Sequence, residues 1–337
     1  DQQGVALRKL IWDPIEKSLQ HSEMIIISPD GLLVACPFAA LPLDADKGFL
    51  IEHKVISYMP AASMLLELER ENSDKVRQDP QLLIVDNVDY GLPDVTQGST
   101  DSVPFSQFPK DEKSFVRLKQ AYNSRYLAGR INRLSGIEAT ESQTKTATEK
   151  AQFVHLSTHG FCLRASEMNM SSENAFNSST NSQLTFDPII SGVAFSGANR
   201  LASQSEEDDC ILWADEISVL DLRNAELVVL FACESALGRI AVGEGMLGCQ
   251  RAFYVAGAKS TVGTLWSVRI VASSQLLGHF YDNLWVDRQS KAESLQAAMI
   301  KMMWEYPESR ESSRFGGRAV RCPPAYWAGF ALAGDWR

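Results

Sequence analysis

The sequence predicts an α/β protein built on a mostly parallel sheet flanked by helices. Three observations lead there. The runs Leu-Val-Val-Leu-Phe-Ala-Cys233, Phe153-Val-His155-Leu-Ser-Thr-His159 and Gln81-Leu-Leu-Ile-Val-Asp86 are short, apolar and partly β-branched. They lack the strict alternation of a half-exposed strand, so they read as strands buried on both faces of a parallel sheet. Segments with helical spacing of apolar residues stand between them, and a strand–helix alternation argues for parallel pairing. The 337 residues, 45% hydrophobic and 22% charged, have ordinary globular composition, with room for one large domain or two smaller ones.

From the N-terminus, Val5, Leu7, Leu10, Ile11, Ile15 and Leu19 stand near helical spacing, and Pro14 sets a break or a new first turn among them. Residues 24–28 predict a buried strand. Pro29-Asp30-Gly31 predicts a turn and residues 32–35 a returning strand, so a first hairpin is expected. Residues 37–42 predict an apolar loop over the sheet, 50–59 a strand, 62–69 a helix and 81–86 another buried strand. Residues 87–110 are rich in Gly, Pro, Asp, Ser and Thr and predict a loop and a seam between two halves. A helix over 112–121, a short strand within 126–134 and a polar helix over 138–150 lead into the His159 strand.

Ser and Asn dominate residues 165–209, where 184–195 alone reads as ordered, as an edge strand or hairpin. A loop of that length in a compact domain is functional or disordered. Residues 210–222 read as a short strand and a helical turn before the Cys233 strand. Residues 246–256 predict an amphipathic helix closed by Gly257. A strand over 259–265, helices over 271–284 and 292–305, and a closing strand over 327–334 complete the chain.

The formal net charge is −10 and the pI about 5.1, which makes a poor nucleic-acid binder, and no direct nucleic-acid partner is expected. No apolar run approaches the ~18 residues of a membrane span and no signal peptide is visible, so no membrane partner is expected either. The cysteines, Cys36, Cys162, Cys210, Cys233, Cys249 and Cys322, include no close pair and no C-x-x-C. They read as the reduced thiols of a cytoplasmic protein, with no zinc or redox motif. Gly243-Glu-Gly245-Met-Leu-Gly248 satisfies G-x-G-x-x-G. It does not directly follow a strand, and no acid stands ~20 residues beyond it, so its glycines read as shaping the loop and helix start beside Cys233. No Walker A and no G-x-S-x-G pattern occurs. His155 and His159 lack the glutamate and helix of H-E-x-x-H, so neither metal nor cofactor is expected.

Ligands of open parallel sheets bind at the carboxyl ends of the strands. Cys233 and His159 stand at two such ends. If the strands are neighbours, their tips meet as a cysteine nucleophile and its base. Free cysteine more often packs as a small apolar side chain. That plainer reading is taken for Cys36, Cys162, Cys210, Cys249 and Cys322, with Cys162 placed in the loop past Gly160. His155 reads as a core or supporting histidine.

His155-Leu-Ser-Thr-His159-Gly160 resembles the histidine motif of CHAT domains, caspase-like peptidases often appended to tetratricopeptide repeats. Asp221-Leu-Arg-Asn-Ala-Glu-Leu-Val-Val-Leu-Phe-Ala-Cys233-Glu-Ser-Ala-Leu-Gly238 is similar to their cysteine motif. Gly243-Glu-Gly245, Ala252-Phe253, Ala256-Gly-Ala258 and Thr264-Leu-Trp266-Ser-Val268 are similar to the segments downstream of the cysteine in that family. The opening Ser28-Pro-Asp-Gly31 and Pro37-Phe38-Ala-Ala-Leu41 and the closing Trp327-Ala-Gly-Phe-Ala-Leu-Ala-Gly-Asp335 extend the likeness over nearly the whole chain. Phe231 departs from the pattern, standing where a serine is expected; it either faces away from the nucleophile tip or lines its pocket. The Ser/Asn-rich stretch at 165–209 is longer than the family minimum.

The resemblance implies a caspase-haemoglobinase fold with a separase-like duplication. Residues 1–110 would be a pseudo-caspase half without catalytic groups, and residues 111–337 the active half with its insertion at 165–209. It implies a cysteine endopeptidase. The Cys233 thiolate attacks a peptide carbonyl, and His159 supplies positive surroundings or protonates the leaving amine. The N–H groups of Gly160 and Cys233 are the implied oxyanion donors. Asp215, Glu216, Phe231 and Glu234 are the substrate-pocket candidates. Asp215 and Glu216 read equally as acidic residues favouring a helix start, and Glu234 equally as a cap. Implied partners are a protein substrate and an upstream repeat domain or activating partner, in a regulated bacterial effector of defence or signalling. The 165–209 segment is expected to be mobile and cut on activation. A silent scaffold module, and another thiol enzyme such as an amidase or acyltransferase, stay open.

Overall fold

A computed structural model describes residues 2–43, 48–70, 79–92, 105–108, 110–164, 189–200, 208–233, 245–306 and 321–337. Its strands are β1 (Met24–Ile27), β2 (Val55–Tyr58), β3 (Gln81–Val88), β4 (Arg130–Gly136), β5 (Phe153–Arg164), β6 (Ile189–Ala194), β7 (Ile211–Trp213), β8 (Leu227–Cys233), β9 (Ser260–Thr264) and β10 (Phe330–Gly334). They share one sheet in the order β1-β2-β10-β9-β8-β5-β3-β4, with β6 on β5 and β7 on β6. The steps β9–β8–β5–β3–β4 and β1–β2–β10 are parallel. The β10–β9 step and the β5–β6–β7 ribbon are antiparallel. The expected mostly parallel α/β architecture is therefore the one observed.

The helices are α1 (Gln2–Ile11), α2 (Asp13–Leu19), α3 (Met64–Arg70), α4 (Glu112–Arg125), α5 (Glu141–Thr148), α6 (Ala214–Ser218), α7 (Gly245–Val255), α8 (Ile270–Tyr281) and α9 (Lys291–Glu305). They cover both faces of the sheet, and the core divides accordingly. Leu82, Ile84, Val229, Phe231 and Val262 pack with Leu118, Leu276, Phe280, Met299 and Met303 on one face. Leu83, Val85, Val154, Leu156, Val228 and Leu230 pack with Ala147, Ile217, Cys249 and Phe253 on the other. Successive residues of β3, β5 and β8 thus alternate between two cores, which is why these strands read as unbroken apolar runs. Each such aliphatic or aromatic side chain contributes about 1.5–3 kcal/mol on burial.

Local chemistry sets the helix ends. Asp111 accepts from Ser114 N at 3.1 Å to start α4, and Ser290 with Glu293 forms a capping box on α9. Beyond α7, Gly257 holds φ +107, with the Arg223 backbone so close that a Cβ would meet its nitrogen at 3.0 Å. The break expected at Pro14 falls between α1 and α2.

Three local expectations change. The first hairpin is absent: residues Gly31–Ala35 form a 3₁₀ turn, and β1 takes β2 as a parallel partner. The Asp30 side chain accepts from Gly31 N at 2.8 Å and starts that turn, a local bond that competes with strand pairing. Residues Leu50–Glu52 form another 3₁₀ turn, closed by Phe49 N donating to Glu52 Oε2 at 2.8 Å, so the strand begins only at Val55. Cys162 lies within β5 rather than in a loop, opposite Ser191 of β6. The strand outlasts its parallel pairing because β6 returns beside it. The expected boundary at residue 110 does not interrupt the sheet, since β3, N-terminal to it, is paired between β4 and β5. Residues 165–188 and 201–207 of the Ser/Asn-rich stretch, and with them its expected mobility and cleavage, lie outside the described residues. Among the described residues no helix is long and apolar enough to cross a membrane.

Candidate active site

β5 and β8 run in register from Phe153↔Leu227 to His159↔Cys233, the last matched pair of the parallel run. Neighbouring strands lie ~4.8 Å apart, so the two strands bring these positions together at the carboxyl side of the sheet. Gly160 then opens the antiparallel pairing with β6, opposite Val193. The chain thus changes partner immediately after His159. Glu234 and Gly243, which lie beyond Cys233, are outside the described residues.

His159 is fully buried. Its ring centroid stands 4.3 Å from Phe108, 5.1 Å from Tyr90 and 5.7 Å from Phe105. Its Nε2 lies 2.7 Å from the Ser106 carbonyl oxygen. A carbonyl only accepts, so Nε2 carries the proton. The backbone of His159 is held by a second device. His159 N–H donates to Tyr90 Oη at 3.1 Å, and Tyr90 Oη lies 2.8 Å from Thr158 Oγ1. Thr158 gives its own proton to the Ala194 carbonyl. Thr158 must therefore accept from Tyr90, and the chain of donors runs one way, from His159 N–H through two hydroxyls to Ala194.

Beneath this cluster a cavity of about 50 Å³ lies between the sheet and helices α4 and α8. Phe231 is one wall, and its ring lies 6.4 Å from Phe108. His155 and Ser157 of β5 also face this cavity. His155 Nδ1 pairs with Tyr281 Oη at 2.8 Å, and burial pushes its pKa down to about 4. It is a neutral supporting histidine, as expected. Burial raises Asp111 at the cavity edge, but hydrogen bonds from Ser114 and Ser274 outweigh it and hold the carboxyl below its usual range. Asp86 is taken by the Arg133 fork, at 2.9 and 2.8 Å.

Asp215 and Glu216 stand elsewhere. Glu216 Oε2 accepts from Trp213 N at 3.0 Å, and its Oε1 pairs with Lys145 at 2.7 Å. Asp215 is exposed and accepts from Glu216 N at 3.0 Å. Both serve the start of α6, the helix-start alternative, and neither lines the Phe231 cavity. A file of rings, Phe105–Phe161 at 6.0 Å and Phe161–Trp213 at 5.3 Å, separates α6 from His159.

The residues that sequence reasoning did not single out are Tyr90, Phe105, Ser106 and Phe108. All lie in the stretch read as a polar seam, and the available signal was three aromatic residues in a loop otherwise rich in Gly, Pro and Ser. Among the described residues no grouping could hold a metal ion. Cys36, Cys210, Cys249 and Cys322 are buried, and burial pushes Cys36 and Cys249 up to about 11, which makes those two inert thiols.

The family model described as CHAT domain matches residues 1–335. Tetratricopeptide repeat protein 28 of Mus musculus is 24% identical over 342 residues, 98% of this chain and 13% of that protein. Its Homo sapiens counterpart is 22% identical over 345 residues, again 98% and 13%. The chain therefore spans about 13% of the length of these curated relatives. Among solved structures, the Arg-specific cysteine proteinase gingipain R (RGPB) is 8% identical, with a TM-score of 0.55 over 98% of this chain and 67% of that one. At that identity the likeness shows a shared caspase-like fold.

Proposed function

Because the chain belongs to the CHAT domain family, we propose that it is a cysteine endopeptidase with Cys233 as nucleophile and His159 as its acid–base partner. The observation that carries this reading is the pairing of His159 with Cys233 at the last step of the β5–β8 register. Two chemically competent residue types far apart in sequence meet at the edge of the sheet where ligands bind.

The reaction assigns each group a task. The thiolate attacks the peptide carbonyl, and the N–H groups of Gly160 and Cys233 receive the developing oxyanion. His159 protonates the departing amine, leaving a thioester that water then hydrolyses. The Ser106 carbonyl holds Nε2–H, so the proton in transit is carried on Nδ1. Phe231 forms the wall of the pocket for the substrate side chain, with the Asp111 carboxylate at its edge.

His159 is buried beneath Phe105 and Phe108, whereas an acid for a departing amine must reach it. We take this as the resting form of a regulated protease, opened by an activating partner or by repeats upstream. The repeats named in its relatives support that arrangement, and a bacterial effector of defence or signalling is the setting we propose. The same burial supports a second reading, a silent module acting through protein–protein contacts. Turnover of an unbiased peptide library by the wild type and by Cys233→Ala separates them. Cleavage by the wild type alone establishes the peptidase and names the residue it cuts after. Absence of cleavage even with the upstream repeats attached, together with no labelling of Cys233 by peptide acyloxymethyl ketones, establishes the scaffold.

A further inference from the structure

At the other end of the sheet, β5, β8 and β9 begin on a cleft of about 510 Å³. Gln152 and Phe153, Glu226 and Leu227, and Lys259 mark those strand starts in its wall. At ~3.3 Å per strand residue, the run from Phe153 to His159 puts the cleft ~20 Å from His159, so it is a separate site.

Its charge runs against that of the chain. Arg125, Arg223, Lys259, Arg288, Lys291 and Arg337 line it, against the single carboxylate Glu226. Asp221 pairs with Arg223 at 2.6 Å, Glu226 with Lys259 at 2.9 Å and Asp335 with Arg337 at 2.8 Å. Six cations thus face three carboxylates, within a chain of net charge −10. Cations gathered in a concave, low-dielectric wall focus a positive field and repel one another until an anion enters.

The wall is built rather than incidental. Lys291 is 7% exposed and donates from Nζ to Ser260 Oγ at 2.8 Å, while Asp335 stands 3.7 Å away. Burial holds Lys291 below the usual lysine range, with Asp335 offsetting part of that. Arg288 holds φ +58, a left-handed conformation that is costly for a residue with a Cβ and that clusters where function requires it. Beside these cations, Tyr126 and Phe153 are half-buried, with ring centroids 5.5 Å apart and planes inclined at 35°. They offer a partly exposed aromatic platform next to the charge.

We propose that this cleft binds a nucleotide, with its phosphates on Arg288 and Lys291 and its base against Tyr126 and Phe153. The volume falls within the ~300–1,000 Å³ of small-molecule sites. Arginine forks match phosphate oxygens, and bases stack on aromatic faces whatever their sequence. The site does not depend on the peptidase reading, and its test reads binding alone.

Isothermal titration of the whole chain with ATP, tripolyphosphate and adenosine tests it. ATP is expected to bind, with affinity falling as salt rises. Tripolyphosphate is expected to bind roughly tenfold or more weakly, for want of stacking, and adenosine more weakly still. Arg288→Gln changes an exposed residue and is expected to weaken ATP about tenfold with an unaltered melting curve; Tyr126→Ala, which also removes packing on Tyr122 and Phe153, is expected to weaken ATP about tenfold with a lowered melting temperature. Tyr126→Ala is expected to leave tripolyphosphate unchanged. No binding of ATP, or ATP affinity unmoved in both variants, overturns the site. Tripolyphosphate binding as tightly as ATP overturns the nucleotide assignment.

Discussion

His159 donates Nε2–H to the Ser106 carbonyl at 2.7 Å, and this bond fixes the ring proton on Nε2. In the neutral ring one nitrogen donates and the other accepts. With Nε2 committed, the proposed mechanism puts the catalytic proton on Nδ1. Replacing the ring in His159→Gln is expected to lower kcat about 10²–10⁴-fold with KM little changed, measured by steady-state cleavage of the peptide that the library identifies. Because Ser106 acts through its backbone and is itself exposed, Ser106→Ala is expected to stay within about twofold of wild type in kcat. A large loss in Ser106→Ala would mean that the side chain, not the carbonyl, orients His159.

Phe108 packs over His159. Its ring stands 4.3 Å from that of His159 and 6.4 Å from that of Phe231, and it is 9% exposed. Phe108→Leu keeps an apolar contact but shortens the cover, at a cost of about 1 kcal/mol in stability. Labelling of Cys233 by iodoacetamide, followed by peptide mapping, is expected to quicken several-fold. Cys36 and Cys249, held up at about 11 by burial, serve as unreactive controls in the same digest. Equal labelling in variant and wild type removes Phe108 as the barrier.

Why the strands could be read and the residues packed over His159 could not has a physical answer. Val228 and Leu230 bury into one core and Val229 and Phe231 into the other, so burial on both faces wrote an apolar run into the sequence. The same runs placed Cys233 and His159 near strand ends. Their pairing is a matter of sheet order, which periodicity does not encode. Ser106 and Phe108 reach His159 from a segment 53 positions away with no period of its own. Glu216 read equally as a pocket acid and as a helix-start acid because a capping carboxylate and a recognition carboxylate are the same residue type in sequence. Only its bonds to Trp213 N and Lys145 tell them apart. Asp30 misled: one side-chain bond to Gly31 N turned an expected strand into a 3₁₀ turn.

The relay from His159 N–H through Tyr90 and Thr158 to Ala194 predicts a second-hand effect on catalysis. Tyr90→Phe removes the hydroxyl that accepts from the buried His159 N–H and donates to Thr158 Oγ1, which keeps its own bond to the Ala194 carbonyl. Leaving buried polar groups unsatisfied costs about 1–3 kcal/mol, expected as a lowered urea midpoint with an unchanged m-value. Since the relay locates the His159 backbone, kcat is expected to fall while KM holds. A stability loss with kcat intact would confine Tyr90 to a structural role.

Glu141 gives the fold a pH dependence of its own. Its side chain is 1% exposed, one of its oxygens pairs with Lys145, and its Oε2 finds no partner among the described residues. Burial pushes its pKa from 4.5 up to about 7; Lys145 draws it down, and Glu216 and Asp208 push it further up. Between those two values the folded protein holds a proton that the unfolded chain has released. Its stability therefore declines as pH rises through the window, by up to ~1.4 kcal/mol per unit, and levels off above it. Glu141→Gln keeps the shape and removes the charge, while Lys145 retains Glu216 at 2.7 Å. The variant is expected to melt several degrees above wild type at pH 8, with the gap closing toward pH 4.5. His155 and His279, both pushed down to about 4 chiefly by burial, act with the opposite sign below 6.5, where the unfolded chain takes up protons that the folded one refuses. Both proteins carry these histidines, so their contribution cancels when the two are compared at each pH. A constant difference in melting temperature from pH 5 to 8 would show that Glu141 is ionised throughout and that Lys145 compensates its burial in full.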